Sequence, residues 1–431
     1  MPDFAIPGSC ARSVFKSGFM LLLGAACALF AANSSLAVPA RINALPANPV
    51  EAIPQQEAPS VNGMIKATLD ERTVMIPAIS GSESVQLETT IYKPPGNGPF
   101  PLVVMNHGKA LGNPHMQPRD RFLALSREFV KRGYAVVIPM RKGFAHSSGN
   151  YVEYSCDMEG NGQLQADDLQ AAINYVVRQK WADKTRIVVA GQSYGGLTAM
   201  AFGARRFPGV KGLINFAGGL RIYGGECDWR SSLINAFADF GRHTALPSLW
   251  FYGANDSHFS PELVQRMHDA YTRGGGNAEL VAFGPFKNDA HGMSGSWDGV
   301  KVWWPETEKF LKRIGMPTQQ VVALVDDNRM PKTDFAALDD ANAVPYLKNS
   351  GRDAYRAFLN KSLPRAFAVS ETGAWSWAED GDDPSGQALA NCEKHSPVPC
   401  KLYAVDQDVV WSETAMPQMA GTPADKQTTG K

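Results

Sequence analysis

Gly191-Gln192-Ser193-Tyr194-Gly195 sets a hydroxyl between two glycines, with the apolar run Ile187–Ala190 before it and a helix-like segment, 196–206, after it. Strand, tight turn and helix in that order hold a nucleophilic serine at a cramped bend that only small neighbours tolerate. The hydroxyl then stands at a helix N-terminus, where developing negative charge is favoured. A serine hydroxyl attacks only when a base takes its proton. Of the eight histidines, His291 in Asn288-Asp289-Ala290-His291-Gly292 follows the last strand-like run and completes the chain order serine, acid, histidine. The carboxylate that would fix its tautomer is Asp256, in the loop after Leu249–Tyr252. Asp289 is expected to cap its own loop, and Asp228, beside Cys227, is a weaker acid candidate. His258 reads as a loop residue near the acid, His115 and His146 as loop residues on the same side, and His243 and His268 as helical. This constellation predicts acyl transfer through a serine ester, with no metal and no cofactor.

Such a reaction passes through an oxyanion that needs two backbone donors. The amide of Tyr194 is one candidate; the amide of Lys109, after the His107-Gly108 turn that follows Leu102–Met105, is the other. His107 itself reads as structural. Arg141, in a Gly- and Ser-rich loop after Ala135–Ile138, is a candidate grip for a substrate carboxylate, with a solvated or ion-paired loop as the competing reading. The segment from Gly218 to Arg230 breaks the strand and helix rhythm. It is a candidate cap, and Tyr223 and Trp229 are candidate substrate contacts.

The elements that must position these groups alternate. Short apolar runs at 102–105, 135–138, 187–190, 213–216, 249–252 and 280–283 read as buried strands, and helical spacing fills 121–132, 164–179, 196–206, 261–273 and 304–314. That pattern predicts an α/β fold with a mostly parallel sheet wrapped by helices. Antiparallel entry strands are expected within 64–93. The domain reading is a signal peptide over 1–37, a disordered linker over 38–62, a catalytic domain over 63–316, a small α+β module over 334–412 and a disordered tail over 413–431. The module shows a strand, helix, strand order at 365–369, 384–394 and 401–405.

With these motifs placed, the chain resembles the dienelactone hydrolase-like branch of the α/β-hydrolase superfamily. The resemblance covers about 84–315 and rests on Asn106-His107-Gly108, on the loop from Met140 to Gly149, on Gly191–Gly195, on Gly253–Asp256 and on Ala290-His291-Gly292. It implies an eight-stranded sheet and hydrolysis of esters or lactones. Dienelactone hydrolases proper use a cysteine nucleophile; with Ser at 193 the chain is more similar to serine esterases or secreted peptidases on that scaffold. Lys109 is bulkier than the residue usual after His-Gly.

Lys+Arg and Asp+Glu both number 42, so nothing in the charge balance points to nucleic acid. Arg12 and Lys16 precede the apolar run Phe19–Ala32, which is short for a membrane span and followed by small residues at Ser35 and Ala37: a secretory signal, with a periplasmic or secreted product and no stable membrane insertion after cleavage. Export would leave four cysteines, and the favoured pairs are Cys156 with Cys227 and Cys392 with Cys400. The expected partner is a small-molecule ester. A prolyl oligopeptidase-type peptidase, an acyltransferase and a catalytically silent binding protein are the competing functions; a protein partner for the C-terminal module is left open.

Overall fold

A computed structural model describes residues 60–61, 64–325, 330–361, 364–379 and 383–412. The expected signal peptide, the tail and the linker up to residue 59 lie outside them. The strands are β1 (Ser60–Val61), β2 (Met64–Ala67), β3 (Asp70–Ser80), β4 (Glu83–Lys93), β5 (Phe100–Asn106), β6 (Ala135–Pro139), β7 (Ala182–Gln192), β8 (Val210–Phe216), β9 (Pro247–Gly253), β10 (Asn277–Phe283), β11 (Val322–Leu324), β12 (Arg365–Ser370), β13 (Trp375–Glu379), β14 (Cys400–Val405) and β15 (Asp408–Val409). The α-helices are α1 (Leu123–Lys131), α2 (Met158–Val176), α3 (Tyr194–Gly203), α4 (Trp229–His243), α5 (Pro261–Arg273), α6 (Val300–Arg313), α7 (Asn349–Phe358) and α8 (Pro384–Glu393).

Eight strands form the main sheet in the order β10-β9-β8-β7-β5-β6-β4-β3. All neighbours from β10 to β6 run parallel; β4 is antiparallel to both β6 and β3. The expected eight-stranded, mostly parallel sheet is therefore present. Its central strands are apolar at successive positions because both faces are covered. Val104, Val189, Leu213 and Trp250 face one core with α2 to α5, while Val103, Val188, Ile214 and Phe251 face the other with Phe129 of α1 and Trp303 of α6. Outside this sheet, β2 joins β1 antiparallel and β11 parallel, so a strand lies at Ser60–Val61, within the stretch read as linker.

Two helices differ from the sequence expectation. Helix α2 begins at Met158, not 164, because the Asp157 side chain caps it by accepting from the Gly160 amide at 2.9 Å. Gly162 hides the helical pattern there, yet a Cβ at that site would stand 3.0 Å from the Ala201 Cβ, so glycine lets α2 lie close on α3. Helix α4 occupies a span that the spacing reading passes over. Asp228, weighed as an acid, caps α4 by accepting from the Ser231 amide at 3.2 Å.

The C-terminal sheet is antiparallel, β13-β12-β14-β15. Alternation in β12 splits its two sides: Phe367 and Val369 pack with Tyr355, Phe358 and Tyr403, while Ala366 and Ala368 pack with Ala388 and the Cys392–Cys400 disulfide. Strand β13 is an addition to the strand, helix, strand reading. Both favoured cysteine pairs are bonded, with Cα–Cα 5.5 Å for Cys156–Cys227 and 6.2 Å for Cys392–Cys400. No helix among the described residues is long and apolar enough to cross a membrane.

Candidate active site

The loops that leave β5, β7, β8, β9 and β10 at their C-terminal ends meet on one edge of the main sheet, the usual ligand edge of such sheets. The turn after β7 is forced. A Cβ on Gly191 would stand 2.0 Å from the Gly195 carbonyl oxygen, and one on Gly195 would stand 2.1 Å from that of Asn106. Only glycine fits either place, and the chain reverses with Ser193 at φ 54° and ψ −123°. A non-glycine residue at positive φ costs of order 1–3 kcal/mol. The turn is held by its own backbone: the Ser193 amide donates to Phe216 O, and Ser193 O accepts from Gly196, Leu197 and Gly219. Every residue of α3 behind it is buried.

His291 Nδ1 lies 3.2 and 3.1 Å from Asp256 Oδ1 and Oδ2. The Asp256 side chain is wholly buried, and its Oδ1 also accepts from the amides of His258 (2.8 Å) and Phe259 (3.0 Å). An acceptor-only carboxylate in that position dictates a proton on Nδ1, so Nε2 is left as the basic nitrogen. Asp289 does cap its loop, accepting from the His291 and Ser257 amides and from the Ser257 hydroxyl. Burial works against its ionisation, but those donors hold its carboxyl below the usual range. Ser193, Tyr194 and His291 line one cavity of about 420 Å³, together with Gly108 and Lys109, a size suited to a small molecule.

The loop after β5 borders Ser193. A Cβ on Gly108 would stand 3.3 Å from Ser193 Cβ and 2.6 Å from Gln192 Oε1. Its geometry is set by His107 and Arg141. The Arg141 amide donates to His107 Nε2 at 3.0 Å, which puts the ring proton on Nδ1, 2.7 Å from Gly108 O. Burial, and then the neighbouring Arg141 charge, hold this imidazole well below its ordinary pKa, so it is neutral. Arg141 is a correction to the expected substrate grip. It is wholly buried, and it donates from Nη1 to His107 O (2.6 Å), from Nη2 to Gly108 O (3.3 Å) and from Nε to Gln165 (2.8 Å). Its donors brace the loop that carries Lys109. The Lys109 amide and the Tyr194 amide have no acceptor among the described residues, as two oxyanion donors should. The Lys109 side chain turns to Glu153 (3.8 Å) and the Tyr151 ring.

Of the cap residues, Tyr223 lines the cavity and is 55% exposed. Trp229 is a second correction: it is buried at the start of α4 against Phe259, with ring centroids 6.3 Å apart, and supports the wall without lining it. The sequence reading missed Arg221, Phe259 and, in effect, His258, all on the cavity wall. His258 lies flat on His291, with centroids 4.1 Å apart and planes at 18°. Burial and then the His291 charge lower its pKa, so it adds no fixed cation against the base. Its position two residues after Asp256 was the available signal.

Asp256, His258 and His291 are the one set of metal-ligand types brought within 4.8 Å of one another among the described residues. Stacked imidazoles direct their nitrogens side by side instead of converging, and Asp256 is already engaged by three donors. The arrangement suits proton transfer. A second cavity, of about 560 Å³, is built from C-terminal module residues that include Gly351, Trp375 and His395.

Residues 81–238 match the model of the X-Pro dipeptidyl-peptidase (S15 family). Cocaine esterase of Rhodococcus sp. (strain MB1 Bresler) is 27% identical over 148 residues, 32% of this chain and 22% of that one. Quorum-quenching protein AidA of Acinetobacter baumannii (strain MDR-ZJ06) is 30% identical over 145 residues, 34% of this chain and 42% of that one. The chain thus spans less than half the length of either relative. Among solved structures, a putative dienelactone hydrolase from Klebsiella pneumoniae subsp. pneumoniae MGH 78578 is 17% identical with a TM-score of 0.40, covering 58% of this chain and 99% of its own. The Pyrococcus furiosus esterase Pf2001 is 18% identical with a TM-score of 0.41, covering 57% and 93%.

Proposed function

We propose that this chain, a member of the α/β-hydrolase superfamily, is an exported serine hydrolase that cleaves a carboxylic ester through an acyl-enzyme. The observation that carries the reading is the Asp256–His291 pair, at 3.1 Å, which sets His291 on the wall of the cavity that the Ser193 bend also lines. Ser193 Oγ attacks the ester carbon while His291 Nε2 takes its proton. Asp256 holds the imidazolium that results, and the amides of Tyr194 and Lys109 receive the oxyanion. Collapse expels the alcohol, which takes the proton back from His291. A water molecule, deprotonated by His291, then attacks the acyl-serine, and the acid leaves as the hydroxyl is restored.

The test is turnover of p-nitrophenyl acetate and butyrate by wild type and Ser193→Ala. Loss of the nucleophile is expected to lower kcat by roughly 10⁶-fold; equal rates would remove the proposal. The S15 match favours a second reading, cleavage of a peptide bond after proline, by the same three residues. A panel of peptide p-nitroanilides separates the two: turnover of a proline amide above that of the esters would replace the ester reading. Export is supported by the apolar run Phe19–Ala32 and by two disulfides, which persist in oxidising compartments. Mass spectrometry of the expressed protein, showing a start near Val38, is the check.

A further inference from the structure

The cavity wall carries a cation that the reaction above does not use. Arg221 lies in the segment between β8 and the Cys156–Cys227 disulfide, and it lines the same cavity as Ser193 and His291. A guanidinium has five N–H donors. Among the described residues Arg221 spends one of them, from Nη1 to Ser257 O at 3.1 Å, and no carboxylate reaches it. The other charged groups of the wall differ in this respect. Lys109 faces Glu153 at 3.8 Å, and Asp120 accepts from Gln117 at 3.2 Å.

Arg221 is also held in place. Its guanidinium carbon stands 4.7 Å from the Tyr223 ring centroid and 6.0 Å from that of Trp229. Two rings beside the guanidinium limit its movement, and the N–H groups not spent on Ser257 O are the kind of paired donors that suit a carboxylate. The two aromatic residues read from the sequence as substrate contacts thus orient the group that makes the contact, and the disulfide one residue before the α4 cap keeps their segment on the wall.

We propose that Arg221 is a specificity residue that binds a carboxylate elsewhere in the substrate, so that the preferred esters are anionic. This rests on the hydrolase reading and deepens it. The carboxylate can sit on the leaving group or on the acyl chain; the shared chemistry is the anion, and matched pairs distinguish the two sources. The pairs are meta-acetoxybenzoate against its methyl ester, and monoethyl adipate against diethyl adipate. Losing hydrogen bonds to a charged group is costly, so Arg221→Gln is expected to lower the anionic-to-neutral ratio of kcat/KM by about 10- to 100-fold for one pair, chiefly through KM. Arg221→Lys, which keeps the charge without the fork, is expected to restore part of that ratio. A purely structural role would lower both members of a pair alike.

A binding measurement keeps this separable from catalysis. Calorimetric titration of Ser193→Ala protein with meta-hydroxybenzoate and with monoethyl adipate is expected to show binding of one of them that falls at least tenfold on adding Arg221→Gln. Absence of turnover in wild type together with that difference would end the hydrolase reading and keep the anion site. A ratio and an affinity both unmoved by Arg221→Gln would overturn the assignment.

Discussion

The main sheet and the C-terminal module each pack helices on strands and each carry one disulfide, but they use that bond differently. Cys156–Cys227 closes a separation of 71 residues and ties the segment that lines the cavity at 219–223 to the start of α2; Cys392–Cys400 closes 8 residues within one small sheet-and-helix layer. The parallel sheet gathers its loops on one edge, and uncommitted donors collect there: the amides of Tyr194 and Lys109 and the guanidinium of Arg221. In the module the buried cation is turned to structure. Arg365 donates from Nη1 to Phe358 O and from Nε to Asp406 O.

With Ser193 left in place, the contrast is broken most severely at Asp256. Asp256→Asn preserves shape but offers His291 an amide in place of an anion, and kcat for p-nitrophenyl butyrate is expected to fall about 10⁴-fold; a loss under tenfold would remove Asp256 from the mechanism. The two disulfides come next. Chain entropy assigns about 4 kcal/mol to the longer closure and about 2.5 kcal/mol to the shorter. Urea unfolding of Cys156→Ser/Cys227→Ser against Cys392→Ser/Cys400→Ser is expected to preserve that order, with activity reduced only by the first; the reverse order would mean that the bonds act through local packing.

The smallest effect concerns His107, whose imidazole is held well below its ordinary pKa of 6.5 by burial and by Arg141. Below pH 6.5 the unfolded chain takes up a proton that the folded chain refuses. The contribution of His107 to stability is therefore present above that pH and lost as pH falls toward the folded-state value, at up to about 1.4 kcal/mol per pH unit. His107→Gln is expected to be less stable at pH 7.5 and to show a shallower decline between pH 6.5 and 5.5. An unchanged acid slope would mean that this histidine is charged when folded.

The turn at Ser193 was legible because its signals are local: Gly191, Gly195, a buried strand before and a buried helix after all lie in one short stretch. The pairing of Asp256 with His291 was legible from chain order and from loops that follow strands. Arg141 was misread because exposure is a long-range property: nothing in its neighbours shows that Gln165 and the His107 turn close over it. Trp229 was misread for a related reason, since an aromatic in a cap has the same sequence appearance whether it faces a cavity or a helix. Arg221 and His258 reach the wall only when the loops after β8 and β9 converge, and no spacing announces that. Helix α2 was shortened by Gly162, whose value lies in contact with α3, and α4 was hidden by a cap segment that carries no periodicity.

Cys227 and Cys156 each stand one residue before a helix cap, Asp228 for α4 and Asp157 for α2. The nine residues from Gly218 to Glu226 therefore run as a strap, sewn into β8 at one end and riveted at the other. A strap of that kind can flex without swinging open like a door. Selection among substrates then falls to the outline of a hollow fixed before anything enters, and reduction of one sulfur–sulfur bond would slacken that outline without touching Ser193, Asp256 or His291.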